Sequence, residues 1–428
     1  MSDVLMLSAI VMLVLLFLKV PVYIAVLGGS MVYFVLNPDI NAVVFAQQAI
    51  IGTEKISLMA IPFFICAGIF MNYTGVTKRI MDFCEVVTGR LPGGLAQVNV
   101  LLSTVMGGLS GSNIADAAME SKMMVPEMTK KGFSLEFSSV VTAASSMITP
   151  LIPPGIAMIL YGCIANVSIG KLFVSGLGVG ALLCVTMMIL VGIISKKRGY
   201  GTITTEKLTL NRFGKALAPA ILPLCLPILI IGGIRFGVIT ATEAGAVAII
   251  YALLLGLVYR EMKLDSIVTG LKESVATTTS IMLIVSAASV FSWVLTKEQI
   301  PQQLTNWMMT VITNKYVFLI VVNVFLLIVG MFIEGNASMI ILVPLLAPIA
   351  ANYGIDEIQF AMIYIFNNAI GALSPPMGTL MFVTCSITKC KTAAFIKEAV
   401  PFYILLVVNL MLLTWFEPFT TFLVNLFY

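Results

Sequence analysis

The chain has 428 residues, of which 60% are hydrophobic and 10% charged, with a formal net charge of +4, and its mean hydropathy is +1.07. So little polar surface excludes a soluble globular protein and places the chain in a bilayer. It has no His, its seven Cys stand apart without CxxC or zinc spacing, and no Gly-x-x-x-x-Gly-Lys-Ser/Thr occurs; histidine-based acid–base chemistry and P-loop nucleotide hydrolysis are excluded, and a charge averaged over two membrane faces implies no nucleic-acid partner.

Apolar stretches long enough to span, about 17 to 25 residues each, run near 4–18, 20–36 and 56–73. The first reads as a span rather than a signal peptide, because it lacks a small-residue cleavage site and runs into a second span. Ile80, Phe83, Cys84 and Val87 then form an apolar stripe opposite Lys78, Arg79, Asp82 and Glu85, which predicts a helix lying in the interface. Two apolar arms, 95–109 and 114–128, flank the small polar tip Ser110-Gly111-Ser112-Asn113 and predict a re-entrant hairpin over 95–128. A span over 134–166 follows, interrupted at Pro150-Leu151-Ile152-Pro153-Pro154-Gly155, and then one over 172–195.

The polar, basic stretch 196–215 reads as a cytoplasmic linker between a first half, 1–195, and a second, 216–428. That second half holds spans at 216–234, 240–259 and 275–295, and an interfacial stripe of Ile300, Leu304, Trp307, Met308 and Val311. A hairpin over 317–350 with the tip Glu334-Gly335-Asn336 comes next, then a span over 357–388 broken at Ser374-Pro375-Pro376-Met377-Gly378-Thr379, and a last span at 399–424. Ten crossings and two hairpins result, an all-α membrane protein.

The two halves repeat. Gly108, Ala115, Pro126, Gly132, Ile148, Leu151, Pro153 and Pro154 recur as Gly330, Ala337, Pro348, Gly354, Ile370, Leu373, Pro375 and Pro376, all 222 positions later. Nineteen of the 24 Lys and Arg, Lys19 and Lys207 among them, fall in loops on one side, leaving Lys55, Lys171, Arg235, Lys297 and Lys315 on the other. The basic side is cytoplasmic by the positive-inside rule, so both termini face outward. Five crossings and one hairpin per half is an odd count of crossings, so the second half enters from the opposite face. An inverted repeat with broken helices is the architecture of secondary transporters.

Paired Pro and Gly within apolar spans leave backbone carbonyls without helical partners, which membranes tolerate where those carbonyls line a cavity or coordinate something. Such oxygens suit an alkali cation. Two related sodium sites are expected, one from Ser110, Gly111, Pro150 and Gly155, the other from Gly335, Ser338, Gly371, Ser374, Gly378 and Thr379. A plain kink in a packed helix is the alternative, and its occurrence twice at one offset argues for the cavity. Polar tips at mid-membrane nominate Ser112, Asn113, Glu334 and Asn336 for substrate. Ser145-Ser146 and their repeat partners Asn367-Asn368 precede each break, nominating Ser145 and Asn367, with helix-to-helix hydrogen bonding as the alternative. Asp116 and Glu120 read as a solvated cytoplasmic face, and Gly176, Gly178 and Gly180 as helix packing rather than a nucleotide fingerprint.

The motifs Gly108-Leu109-Ser110-Gly111-Ser112-Asn113, Ile152-Pro153-Pro154-Gly155, Ser374-Pro375-Pro376-Met377-Gly378 and Thr240-Ala241-Thr242-Glu243-Ala244 resemble the large membrane subunit of tripartite ATP-independent periplasmic (TRAP) transporters over essentially the whole chain. The resemblance implies an elevator-type, sodium-coupled carrier of an organic acid in the bacterial inner membrane. It implies two or more Na+ ions, no organic cofactor, and three kinds of partner: a small four-span membrane subunit, a periplasmic substrate-binding protein and membrane lipid. The sequence looks closest to the sialic acid branch, with C4-dicarboxylate uptake and a stand-alone sodium antiporter as alternatives. Glu334 departs from the Asp that many relatives carry there. An intramembrane enzyme lacks its nucleophile and base here.

Overall fold

The structure is a computed structural model that describes residues 3–18, 20–203 and 209–428. Lys19 and Lys207, two of the basic-side charges, lie outside the described residues, as does part of the linker. Among the described residues every regular element is helical. The first half runs α1 (Asp3–Phe17), α2 (Val22–Leu36), α3 (Val43–Ile51), α4 (Ala60–Asn72), α5 (Val76–Thr88), α6 (Gly94–Ser110), α7 (Asn113–Lys130), α8 (Leu135–Ser145), α9 (Ile156–Ala165) and α10 (Ile169–Arg198). The second runs α11 (Leu210–Arg235), α12 (Ala241–Tyr259), α13 (Leu264–Lys297), α14 (Ile300–Val311), α15 (Lys315–Phe332), α16 (Gly335–Asn352), α17 (Glu357–Leu373), α18 (Thr379–Thr388), α19 (Thr392–Trp415) and α20 (Pro418–Phe427).

The offset of the sequence repeat is also an offset of elements. Helices α6 to α10 begin at 94, 113, 135, 156 and 169, and α15 to α19 at 315, 335, 357, 379 and 392, each within one residue of a shift by 222. Hairpins α6–α7 and α15–α16 and broken helices α8–α9 and α17–α18 therefore stand in matching places. The first break carries a 3-10 turn, Thr149–Leu151, and a bend of 42°. The Pro153-Pro154 and Pro375-Pro376 peptide bonds are both cis.

Among the described residues seven unbroken helices are long and apolar enough to cross a membrane, and two of these, α15 and α16, are arms of the second hairpin. The span expected at 56–73 is longer than the sequence reading gave it, because α3 precedes α4 across a 55° bend. Gly52-Thr53-Glu54-Lys55 between them hid the first part. Its counterpart α13 is unbroken over 34 residues, about 50 Å at 1.5 Å per residue, so it outruns the roughly 30 Å of hydrocarbon. The span expected at 399–424 is corrected: α19 ends at Trp415, and α20 restarts after Glu417 at Pro418 and packs on α10. Pro cannot continue a helix from the preceding turn but suits a first turn.

Helix α5 buries Val76, Ile80, Cys84 and Thr88 in a single stripe, as an amphipathic helix should. On α14 the pattern holds in part: Met308 is buried, whereas Trp307 and Val311 stay exposed. The exterior, not the interior, differs from that of a soluble protein. Helix α17 is buried along almost its whole length, while α11, α12 and α13 expose Ile228, Leu257 and Val275, which suits contact with lipid tails.

Backbone bookkeeping explains one outer pair. Pro223 has no N–H to offer the Pro219 carbonyl four residues before it, and the Tyr259 hydroxyl of α12 donates to that carbonyl at 2.9 Å instead. Tyr251 likewise donates to Leu222 O at 2.6 Å. Two tyrosines thus fasten α12 to a proline-rich α11.

Candidate functional site

A cavity lies where the two hairpin tips meet the two helix breaks. Asn113 and Ile114 reach it from the first tip, Glu334, Gly335 and Asn336 from the second, and Pro150, Ala157 and Thr379 from the breaks, with Asn368 on the wall. Four helices begin here: α7 at Asn113, α9 at Ile156, α16 at Gly335 and α18 at Thr379. Each helix start carries unpaired N–H groups and partial positive charge. Among the described residues no Lys or Arg lines the cavity.

Local chemistry sets the starts. Ser112 is the N-cap of α7, its hydroxyl accepting from Ala115 N at 3.4 Å. Its repeat partner Glu334 is the N-cap of α16: one carboxylate oxygen accepts from Ala337 N at 3.1 Å, and the other from the Asn336 side-chain amide at 2.8 Å. Glu334 is thus partly committed to its own helix while remaining on the cavity wall. Helices α9 and α18 begin after Gly155 and Gly378 without a side-chain cap, so their first-turn N–H groups look to the backbone or to a ligand for partners; in α9 the first of them, Ile156 N, is taken by Gly111 O.

Of the residues expected to contact substrate, Asn113, Glu334 and Asn336 line the cavity, and Ser112, the N-cap that precedes Asn113 in the chain, does not. Ser145 and Asn367 do not. Ser145 Oγ lies 2.9 Å from Ser103 Oγ, and the Asn367 amide donates to Asn323 Oδ1 at 2.8 Å, the interhelical bonding that was the alternative reading. Asn368, one position on, faces the cavity instead and donates to Gly335 O at 2.6 Å. The doubled Asn pair concealed which member turns inward, since consecutive helical residues point about 100° apart.

The residues expected around a cation present mainly backbone oxygen. A Cβ on Gly155 would collide with Pro150 O, one on Gly111 would stand 2.8 Å from Pro154 O, and one on Gly378 would stand 2.6 Å from Ser374 O and 2.7 Å from Ala372 O. Each glycine is thus a cradle in which backbone carbonyl oxygen stands where a side chain would go, one carbonyl at Gly155 and at Gly111 and two at Gly378. Ser110 Oγ is buried with no hydrogen-bond partner among the described residues. The first tip and first break are joined directly, Ile156 N donating to Gly111 O at 3.4 Å. In the second half Gly335 and Thr379 line the cavity. Ser338 Oγ is instead 3.2 Å from the Tyr364 hydroxyl, Ser374 Oγ donates to Ile370 O at 2.8 Å, and Gly371 packs against Gly330. The donor set is hard oxygen of the kind alkali cations take, and it fits such an ion more fully in the first half than in the second.

Asp116 and Glu120 overturn the reading of a solvated face. They are 1% and 0% exposed, because α7 turns that side toward α6 and α8 rather than toward water.

A family model described as "Tripartite ATP-independent periplasmic transporter, DctM component" matches residues 9–419. The chain is 37% identical over 414 residues to the sialic acid TRAP transporter large permease protein SiaM of Vibrio cholerae, covering 96% of each. It is 35% identical over 390 residues to the C4-dicarboxylate TRAP transporter large permease protein DctM of Pseudomonas aeruginosa, covering 91% of each. Its fold is similar to the crystal structure of the Alcanivorax borkumensis YdaH transporter, with a TM-score of 0.60 at 14% identity over 98% of this chain and 99% of that one. With its paired hairpins, paired breaks and full-length match, the chain belongs to the large permease component of the TRAP transporters.

Proposed function

We propose that this chain carries an organic acid inward across the bacterial inner membrane by sodium-coupled secondary transport. The observation that carries the reading is the convergence of four helix N-termini on a cavity lined by no described Lys or Arg. Backbone N–H groups at helix starts hold anions well, and broken helices in transporters aim them at anionic substrate groups. The glycine-lined carbonyls of the breaks would take sodium, and an ion there would offset the Glu334 charge that otherwise opposes an incoming carboxylate. Hairpins and broken helices would move together against α2, α4, α12 and α13 as an elevator. Substrate would arrive from a periplasmic binding protein, and a small four-span membrane subunit would cover part of the lipid-facing surface, with both termini of this chain outside.

Sialic acid is the substrate we favour, on the 37% identity to a sialic acid permease; a C4-dicarboxylate is the second reading, on the 35% identity to a permease of that class. The test is uptake into proteoliposomes holding this chain and its small partner, with and without the binding protein. Sialic acid or a dicarboxylate is offered under an inward sodium gradient. Accumulation of sialic acid that needs both sodium and the binding protein is expected. Accumulation of dicarboxylate alone selects the second reading, and sodium flux without the binding protein or any acid would make the chain a stand-alone antiporter.

A further inference from the structure

Asp116 and Glu120 sit one helical turn apart on α7, and the interior they share is built of oxygen. The Thr149 hydroxyl donates to Asp116 Oδ2 at 2.8 Å. The Ser103 hydroxyl donates to Glu120 Oε2 at 2.6 Å and lies 2.9 Å from Ser145 Oγ. The other two carboxylate oxygens, Asp116 Oδ1 and Glu120 Oε1, are fully buried and meet no donor among the described residues. No described Lys or Arg pairs with either carboxylate. Two acidic groups without a counter-charge are costly in a low-dielectric interior, and like-charged neighbours cannot both stay ionised there unless something positive joins them.

We propose that Asp116 and Glu120, with the hydroxyls of Ser103, Ser145 and Thr149, form a binding site for a hard metal cation, separate from the two loop cradles. Two orphaned carboxylate oxygens and a ring of hydroxyls are the ligands such ions select. The repeat shows the site to be unpaired. At the 222 offset Asp116, Glu120, Ser103, Ser145 and Thr149 correspond to Ser338, Leu342, Phe325, Asn367 and Gly371, so the second half has no copy of the acidic pair. Its place also gives it leverage. Thr149 opens the 3-10 turn whose next residue, Pro150, lines the substrate cavity, so an ion here would tie α6, α7 and the first break into one body.

The experiment uses the chain assembled with its small membrane partner in lipid nanodiscs, moved from choline chloride into sodium, potassium or calcium chloride. Two quantities are read: infrared difference bands of carboxylates, and bound cation per chain by radioactive sodium or calcium. Expected is a carboxylate band shift with sodium or with calcium, the arm that responds naming the ion. That shift should vanish in Glu120→Gln and in Asp116→Asn, with one bound ion fewer per chain, while Glu334→Gln keeps it. Ion binding to the cradles can fail without touching this result, because the band and the lost equivalent belong to these two residues. A neutral-carboxyl band at every cation concentration, abolished by Glu120→Gln, would show that the pair holds a proton and would overturn the proposal. Unchanged ion counts in both variants would do the same. Should the carboxylate variants not assemble, Ser103→Ala and Thr149→Ala, which each remove one hydroxyl partner of the pair, are read in the same way: a smaller shift and weaker ion binding are expected, and unchanged values in both would overturn the proposal.

Discussion

Gly330 on α15 and Gly371 on α17 meet backbone to backbone: a Cβ on Gly371 would stand 2.6 Å from Gly330 Cα. The first half makes a similar contact one position earlier on its arm, where a Cβ on Gly107 of α6 would stand 2.8 Å from Thr149 Cα in the first break. In both halves, then, the outbound hairpin arm is pressed onto the broken helix with no side chain between them. Close approach through small residues is how membrane helices gain packing energy where burial from lipid gives none.

Replacing Gly371 by Val should therefore destabilise the protein by about 1–3 kcal/mol, the usual range for overpacking a tight interior. Gly232, on α11, has nothing within 4 Å of its Cβ position, so Gly232→Ala should leave stability unchanged or raise it by about 0.5–1 kcal/mol through the helix preference for Ala. Thermal unfolding of the purified proteins in one detergent compares them. Equal midpoints for Gly371→Val and wild type would mean the helices part readily.

At the breaks the demand on glycine is about carbonyls rather than helices. Gly155→Val and Gly378→Val should each abolish sodium-dependent uptake while membrane insertion and assembly survive, since the added side chain drives into Pro150 O or into Ser374 O and Ala372 O. Uptake in proteoliposomes, normalised to inserted protein, is the measurement. Near-normal sodium-dependent rates in both variants would remove the cradles from the mechanism.

Sidedness can be tested along one helix. Lys263 and Lys297 flank the two ends of α13 and are both exposed. Charge places Lys263 on the cytoplasmic face and Lys297 outside. In a background lacking the partly exposed Cys225, Lys263→Cys should react with an impermeant maleimide only from the cytoplasm and Lys297→Cys only from the periplasm. The reverse pattern would invert both hairpins.

How far the sequence carries this fold depends on what each residue must do locally. The hairpins and breaks were legible because Pro removes an N–H and Gly removes a Cβ wherever they stand, and the repeat doubled each signal. Helix α3 and the stop at Trp415 were not legible, since an apolar run looks alike on either side of a short bend. Asp116 and Glu120 misled for a different reason. A carboxylate four residues before another makes a tidy polar stripe, and only the packing of α7 on α6 and α8 turns that stripe inward. Asn367 and Asn368 mark the same limit, because composition cannot say which of two neighbours faces the cavity.

The two halves are also joined between the C-terminus of α10 and the first turns of α19, where Arg198 pairs with Glu398 at 2.7 Å and lies 5.4 Å from the Phe137 ring centroid. The Arg198 side chain is 39% exposed, so solvent screening limits the pair to about 1 kcal/mol. Glu398→Gln should lower the unfolding midpoint slightly at low salt, and the difference should shrink at 1 M salt, where the Debye length falls to about 3 Å. A salt-independent loss would assign the effect to packing of the Arg198 stem instead.

The last expectation links Glu334 to coupling. Its carboxylate caps α16 through Ala337 N and holds the Asn336 amide, so it organises the second tip as well as contributing charge to the cavity. If sodium must enter both cradles before the tips are ordered for substrate, uptake should rise sigmoidally with external sodium and ignore ATP, since a ligand shifts an equilibrium only by its preference for one state. Glu334→Gln keeps the size and one acceptor oxygen but removes the charge. It should cut uptake by roughly an order of magnitude or more, a loss of at least about 1.4 kcal/mol of transition-state stabilisation, while co-purification with the small subunit is unchanged. Sodium-dependence curves of wild type and Glu334→Gln in the same proteoliposomes decide the matter. A hyperbolic wild-type curve together with normal uptake by Glu334→Gln would reduce the residue to a helix cap and leave the coupling to be sought at Asp116 and Glu120.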